Sequence, residues 1–254
     1  MIPGDGIGPE VVAEGIKVLE AAAEMDGGLA FDFEPFPWGC EYFAANGEMM
    51  PHDGLDTLRN FETIFLGAVG FPGVPDHVSL WGLLIPIRRT FRQYVNLRPC
   101  RLLRGITSPL RDKEPGSIDL VVVRENSEGE YSNMGGRIHE GTPAEMAVQN
   151  TVFTRMGVER IVRYAYELAQ SRGKHLTSAT KSNGINITMP YWDEVVATVG
   201  SDFPAVKTDA YHIDALAAYL VTRPESFDVI VGSNLFGDIL SDLAAAVMGG
   251  IGMA

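Results

Sequence analysis

The chain has 254 residues, 46% of them apolar and 21% charged, enough for one large domain or two smaller ones around a sizeable core. Its 33 Asp and Glu against 20 Lys and Arg leave a net charge of −13, which argues against nucleic acid or an anionic membrane as a partner. Cys40 and Cys100 lack metal-type spacing, no apolar run approaches membrane-spanning length and no signal-type start is present, so the expectation is a soluble, acidic, cytoplasmic protein with reduced thiols.

The chain opens on "MIPGDGIGPE", a glycine loop leading into Pro9. Its spacing is G-x-G-x-G, and only Met1, Ile2 and Pro3 precede it. A dinucleotide fingerprint needs a strand first and then G-x-G-x-x-G, so a nucleotide here would not be held in the Rossmann manner. Pro9 to about Met25 predicts a helix stopped by Gly27-Gly28. "LAFDFEPF" alternates like a half-buried strand, and "FETIFLGAV" runs into a buried strand ending at Gly67. "LWGLLIPIRRTFRQY" is helical in period, with Pro86 as a kink or a first-turn residue.

"VNLRPCRLL", "IDLVVVREN" and "DVIVGSNLF" read as strands. Residues 128–149 are glycine-rich and polar, without helical period, and suggest a projecting hairpin arm. "VFTRMGVERIVRYAYELAQSRG" predicts an amphipathic helix with Thr154 as its cap and Gly173 closing it. "HLTSATKSN" predicts a strand; "INITMPYWDEVVATV", "HIDALAAYLVTRP" and "LFGDILSDLAAAVMGG" predict helices. Strands alternating with helices indicate an α/β protein with a mixed or parallel sheet.

Three sets of residues carry chemistry. "RRTFRQYVNLRPCRLLR" holds six arginines and no acidic residue within an acidic protein. Guanidinium forks match the paired oxygens of carboxylates and phosphates, so the cluster suits a small polyanion, although a solvated basic face has the same composition. Asp238 and Asp242 lie four apart, on one face of a helix, and Asp214 begins another; carboxylates that converge would suit Mg²⁺ or Mn²⁺. A solvated helix carries such pairs as well. Lys181 ends an apolar strand and is a candidate base, with Tyr131 a matching acid. Taken singly, a lysine reaching solvent and a tyrosine in a core explain these two better.

Together, "IPGDGIGPE", "NLRP", "VVRENSEGEY" and "NLFGDILSD" resemble, in order and spacing, the motifs of the metal-dependent β-decarboxylating dehydrogenases, the isocitrate and 3-isopropylmalate dehydrogenase family. The resemblance covers the whole chain. It implies an α/β fold of the isopropylmalate-dehydrogenase kind, two domains with mixed sheets and no Rossmann unit. Arg88, Arg98 and Arg124 would grip the malate part of a substrate, with Trp81, Leu84 and Ile85 reading its γ-group. Tyr131 and Lys181 would be the catalytic pair, and Asp214, Asp238 and Asp242 the ligands of Mg²⁺ or Mn²⁺. Gly70 and Asn183 would contact NAD. The resemblance also implies a homodimer with shared sites, in which Lys181 and Asp214 serve the neighbouring subunit and the arm builds the interface.

"VSLWGLLIPIRRTF" and "LTSATKSNGI" resemble the tartrate and D-malate branch most. No Ser and Asn pair stands near Arg88 to meet the third carboxylate of isocitrate, and Trp81 would fill the space of an isopropyl group. The expected reaction is NAD-dependent oxidation and decarboxylation of D-malate or tartrate. Alternatives are 3-isopropylmalate dehydrogenase, a non-catalytic member that keeps the carboxylate site, or a bare dimerisation module. The family's usual strand ahead of the glycine loop and its long C-terminal continuation, which holds the adenosine of NAD, have no counterpart here. The chain therefore reads as truncated at both ends, with an incomplete cofactor-side domain (1–94 plus 249–254), a whole substrate and metal domain (95–248), and weak NAD binding.

Overall fold

The structure, a computed structural model, describes residues 1–250 and 252. The chain divides into two compact units, Met1–Arg92 and Gln93–Ala254. Of the segment 249–254 that the resemblance assigns to the cofactor-side domain, Ile251, Met253 and Ala254 lie outside the described residues.

The first unit begins with a strand after all. β1 (Ile2–Gly4) pairs in parallel with β2 (Leu66–Ala68), Ile2 opposite Leu66 and Gly4 opposite Ala68. Three residues suffice because the loop that follows packs directly on β2. Gly4 has φ +73°, and a Cβ there would sit 1.9 Å from the Ala68 carbonyl oxygen, so only glycine allows the approach. The loop delivers the chain into α1 (Gly8–Asp26), which ends at Gly27 with φ 73°. Short helices α2 (Cys40–Asn46), α3 (Gly54–Leu58) and α4 (Asp76–Ser79) follow.

The predicted single helix around Pro86 is instead three pieces. α4 widens into a π-turn (Leu80–Leu84), where the Ile85 N–H reaches back to the Leu80 carbonyl, and α5 (Ile85–Thr90) resumes with Pro86 in its first turn. Proline has no N–H to give and crowds the preceding turn, so the ladder slips by one residue at that point. The strand predicted at 29–36 is irregular. Two backbone bonds tie it to the chain start, Met1 N to the Glu34 carbonyl at 2.9 Å and Phe36 N to the Met1 carbonyl at 2.8 Å. Phe31 and Phe33 stack at 5.8 Å, so a local aromatic contact accounts for the alternation.

Ile2, Trp38, Met49, Leu58, Leu83 and Ile87 form this unit's core. Asp5 is the buried polar group at its centre. At 5% exposure, its Oδ1 accepts from Cys40 N at 2.7 Å and its Oδ2 from Gly70 N at 2.9 Å, so one carboxylate joins three loops.

The second unit is built on a five-stranded mixed sheet. β3 (Val95–Arg101) is antiparallel to β4 (Asp119–Glu125). A hairpin arm, β5 (Gly135–Ile138) with β6 (Met146–Gln149), is exposed along both strands. α6 (Arg155–Ser171) starts at Thr154, whose hydroxyl accepts from Gly157 N at 3.0 Å as the sequence leads one to expect. β7 (His175–Thr180), α7 (Thr188–Gly200), β8 (Lys207–His212), α8 (Ile213–Thr222), β9 (Val229–Gly232) and α9 (Asn234–Met248) complete it. The order is β3-β4-β9-β7-β8, parallel from β4 onward.

Helices α6 and α7 pack together on the sheet, and α8 with α9 form a second pair. β4 is buried at every residue from Leu120 to Glu125, as a strand between two helical layers must be. β8 escaped sequence reading because it is an edge strand with charged and half-exposed positions, paired only to β7. At the core, Trp192 is fully buried and its indole N–H donates to Ser178 Oγ at 3.0 Å.

Asp5→Ala leaves the Cys40 and Gly70 amides without their acceptor and should destabilise the chain by at least about 2 kcal/mol in urea unfolding. Asp5→Asn, which keeps one acceptor oxygen, should lose less.

Candidate active site

Arg124 lies at the C-terminal end of β4 and is only 4% exposed. A guanidinium buried this deeply needs oxygen partners on every edge. Asn234, the first residue of α9, supplies Oδ1 to both Nε (3.0 Å) and Nη2 (2.7 Å), and Asp238, one turn on, meets Nη1. The helix comes this close because Gly237 faces Arg124; a Cβ there would lie 2.5 Å from the arginine Cβ.

Asp238 has a second partner. The Tyr131 hydroxyl donates to its Oδ2 at 3.1 Å, and the Tyr131 ring lies 5.6 Å from the Arg124 guanidinium carbon. Burial first, and then the Asp238 charge, push the Tyr131 hydroxyl above its ordinary pKa. Arg124, Tyr131 and Asp238 thus form one contiguous cluster, bringing together a predicted substrate arginine, a predicted catalytic tyrosine and a predicted metal ligand. Asp242 follows Asp238 one turn along α9, exposed. Arg98 is half-buried on β3, two residues from Asn96, whose Oδ1 accepts from Arg98 Nε at 2.8 Å. In the antiparallel register Asn96 stands opposite Arg124, which puts Arg98 and Arg124 on the same face of neighbouring strands.

A second cluster sits where β7 and β8 end. Lys181 Nζ donates to Asp214 Oδ1 at 2.6 Å, and this bond holds the Asp214 carboxyl below its ordinary pKa. Asn183 is exposed in the turn after β7. Asp214 does not complete a metal site with Asp238 and Asp242: among the described residues no three His, Cys, Asp or Glu side chains are grouped to hold a metal. Asp238 and Asp242 alone still suit Mg²⁺ or Mn²⁺, since such ions take one or two protein carboxylates and fill the rest of their shell with water and substrate oxygens.

The remaining predicted residues belong to the first unit. Arg88 is half-buried on α5; Trp81 and Leu84 lie on the π-turn, and the Arg89 guanidinium carbon sits 4.8 Å from the Trp81 ring centre. Gly70 has φ +121° and open space where a Cβ would be, and its N–H is given to Asp5. The opening glycine loop is not a phosphate cradle. Gly4 and Gly8 admit backbone, and the Asp5 carboxylate inside the loop would repel an anion.

Sequence reasoning missed the residues that hold this arrangement. Glu125 is fully buried and accepts from Ser127 N, Ser127 Oγ and Glu128 N, with Arg160 3.7 Å away. Glu128 accepts from Thr154 N and Oγ1, both at 2.9 Å, fastening the start of α6. Glu130 accepts from Ser233 Oγ and Leu235 N at the start of α9. The visible signal was the acidity of "RENSEGEY" itself: three carboxylates in six residues need three sets of donors.

A sequence model described as isocitrate/isopropylmalate dehydrogenase matches residues 1–254. The chain is 59% identical over 254 residues to a probable tartrate dehydrogenase/decarboxylase of Bacillus subtilis (strain 168), and 59% identical over 256 residues to a D-malate dehydrogenase [decarboxylating] of Escherichia coli (strain K12). In both cases all of this chain aligns with 71% of the relative's length. Among solved structures, an isocitrate dehydrogenase from Methylococcus capsulatus superposes with a TM-score of 0.85 at 33% identity, covering 99% of this chain and 70% of the other.

Burial raises the Glu125 pKa above its ordinary 4.5, against the lowering effect of the Ser127 and Glu128 donors. A raised carboxyl binds its proton more tightly in the folded state, so its contribution to stability is full below pH 4.5 and is lost as pH rises through the raised value. Urea midpoints of Glu125→Gln and the parent, compared from pH 4 upward, should therefore diverge with rising pH, the parent losing stability relative to the variant.

Proposed function

This chain belongs to the isocitrate/isopropylmalate dehydrogenase family and is an oxidoreductase, and from that membership we propose that it oxidises and decarboxylates D-malate or tartrate with NAD and a divalent cation. The observation that carries the proposal is the meeting of Arg124, Tyr131 and Asp238: an anion grip, a proton donor and a hard oxygen ligand within one contiguous cluster.

Arg88, Arg98 and Arg124 hold the substrate's carboxylates through paired N–H bonds, fixing which carbon faces the oxidant and which carboxylate is free to leave. Asp238 and Asp242 would hold Mg²⁺ or Mn²⁺, with Asp214 contributed by the neighbouring subunit of a homodimer. The cation, when bound, would supply Lewis-acid chemistry that makes the substrate hydroxyl more acidic, and NAD would supply the acceptor for the hydride at C2. Lys181, positioned by its 2.6 Å bond to Asp214, takes the hydroxyl proton in the neighbouring subunit's site. After CO₂ departs, Tyr131 gives a proton to the carbon that lost it. For D-malate the products are pyruvate, CO₂ and NADH.

Tyr131 suits that last step for a physical reason. A phenol is protonated at neutral pH, and burial and the Asp238 charge raise the Tyr131 pKa further, so the hydroxyl has a proton to give when the carbanion forms. Gly70 and Asn183 contact NAD in this reading, and the bulk of Trp81, with Leu84 on the same π-turn, would take the space of an isopropyl group. The acidic surface fits a cytoplasmic enzyme of small-molecule metabolism, with neither nucleic acid nor membrane as a partner. Among the described residues no helix is long and apolar enough to cross a membrane.

The test is NADH formation from the chain with NAD, Mn²⁺ and D-malate or tartrate, with isopropylmalate in parallel. Turnover of D-malate or tartrate well above isopropylmalate is expected; the reverse order would overturn the substrate reading. Arg124→Lys removes the fork that Asn234 and the substrate share, and should lower kcat/KM at least about 100-fold with both acids.

A further inference from the structure

We infer that Glu130 is a positioning residue for the reaction: it sets Tyr131 against Asp238 by bolting the segment before the arm to the first turn of α9. The inference rests on the proposed role of Tyr131 as proton donor.

The first amides of a helix have no acceptor within it, and its N-terminal end favours negative charge. α9 meets both needs with a side chain from another part of the chain. Glu130 Oε1 accepts from the Ser233 hydroxyl at 2.7 Å, and Oε2 accepts from Leu235 N at 3.0 Å. Ser233 is itself the cap of α9, accepting from Phe236 N at 3.4 Å, so one carboxylate holds both the cap and the turn it caps.

That same turn carries the active-site contacts. Asn234, between the two residues Glu130 holds, grips Arg124 and sends Nδ2 to the Glu128 carbonyl at 3.2 Å. Asp238, one turn on, receives the Tyr131 hydroxyl. Tyr131 follows Glu130 directly in the chain. The path from the Glu130 carboxylate to α9 and the path from the Tyr131 hydroxyl to α9 therefore close a ring. Beyond Tyr131, Ser132 Oγ donates to the Asn150 carbonyl, a bond to the returning chain of an arm whose strands are exposed throughout, so the anchorage to a buried helix lies on the α9 side. Gln149 Nε2 adds a bond to the Glu130 carbonyl at 2.7 Å, bringing the returning strand to the same point. Removing the carboxylate releases Tyr131 relative to Asp238 without touching substrate, cation or cofactor.

A double-mutant cycle in the full chain separates positioning from mere capping: Glu130→Ala, Glu130→Gln, Tyr131→Phe, and Glu130→Ala with Tyr131→Phe, assayed with NAD, Mn²⁺ and whichever of D-malate or tartrate the parent turns over. Glu130→Ala should lower kcat about tenfold with KM changed less than about twofold, because misplacing a reacting group slows the chemical step more than it weakens binding. Glu130→Gln, keeping one acceptor oxygen, should recover part of the loss. On the Tyr131→Phe background Glu130→Ala should cost no more than about twofold, since the residue it positions is already disabled.

Hydrogen exchange gives a readout apart from activity. Protection of the Leu235 amide should fall in Glu130→Ala and persist in Tyr131→Phe. A full-sized Glu130 effect on the Tyr131→Phe background, an unchanged kcat in Glu130→Ala, or undiminished Leu235 protection would each overturn the inference. A parent chain silent with both hydroxy acids, or a Tyr131→Phe variant as fast as the parent, would instead overturn the functional reading, and the inference with it.

Discussion

A guanidinium taken almost wholly out of water constrains everything around it. Arg124 cannot lose its charge, so its N–H groups must find oxygens inside the protein, and they find them on a single helix, at Asn234 and Asp238. That requirement fixes how α9 lies on β4, why Gly237 has no side chain, and where Asp238 points. It also fixes the tyrosine, because Asp238 has a second oxygen to satisfy and Tyr131 supplies the donor. The arrangement of the candidate site is in this sense a consequence of burying one positive charge beside one negative one.

The carboxylates of "RENSEGEY" extend the same logic outward. Each ends on backbone donors that would otherwise lack partners: Glu125 on its own turn, Glu128 on the start of α6, Glu130 on the start of α9. A strand, two helices and an exposed arm are thereby referenced to one segment of eight residues. Charge-assisted bonds to backbone are short and directional, which suits them to holding geometry rather than adding bulk stability. The first unit shows the device once more, with the buried Asp5 carboxylate joining the loops that carry Cys40 and Gly70.

In that first unit, glycine and proline decide the local path. Gly4 allows β1 to meet β2 within a backbone's width, and Pro86 shifts the ladder so that Trp81 and Leu84 ride on a π-turn. An extra residue in a turn changes which side chains share a face, and the Arg89 guanidinium stacked on Trp81 belongs to that altered face. The residues read as setting substrate size therefore stand on the least regular stretch of helix in the unit.

Most helices and the buried strands were legible in the sequence, because their signals are local: the apolar run of "DLVVVRE", the Thr154 cap, the period of α6 and α9. The candidate Arg, Tyr, Lys and Asp residues were legible through motif order. β8 was not, since an edge strand paired on one side needs no apolar alternation, and the apparent strand at 29–36 was an aromatic stack with the same period. Nor could the sequence say which carboxylates would meet. Asp214, Asp238 and Asp242 look equivalent as letters, yet in space Asp214 faces Lys181 while Asp238 faces Arg124 and Tyr131. The sequence alone determined which chemical groups are present and the helices and strands that bear them, because periodicity and capping act over a few residues. Only the tertiary structure decided the partners of each charge, because contacts such as Glu130 to Leu235 or Arg124 to Asp238 join residues more than a hundred positions apart, and nothing local encodes them.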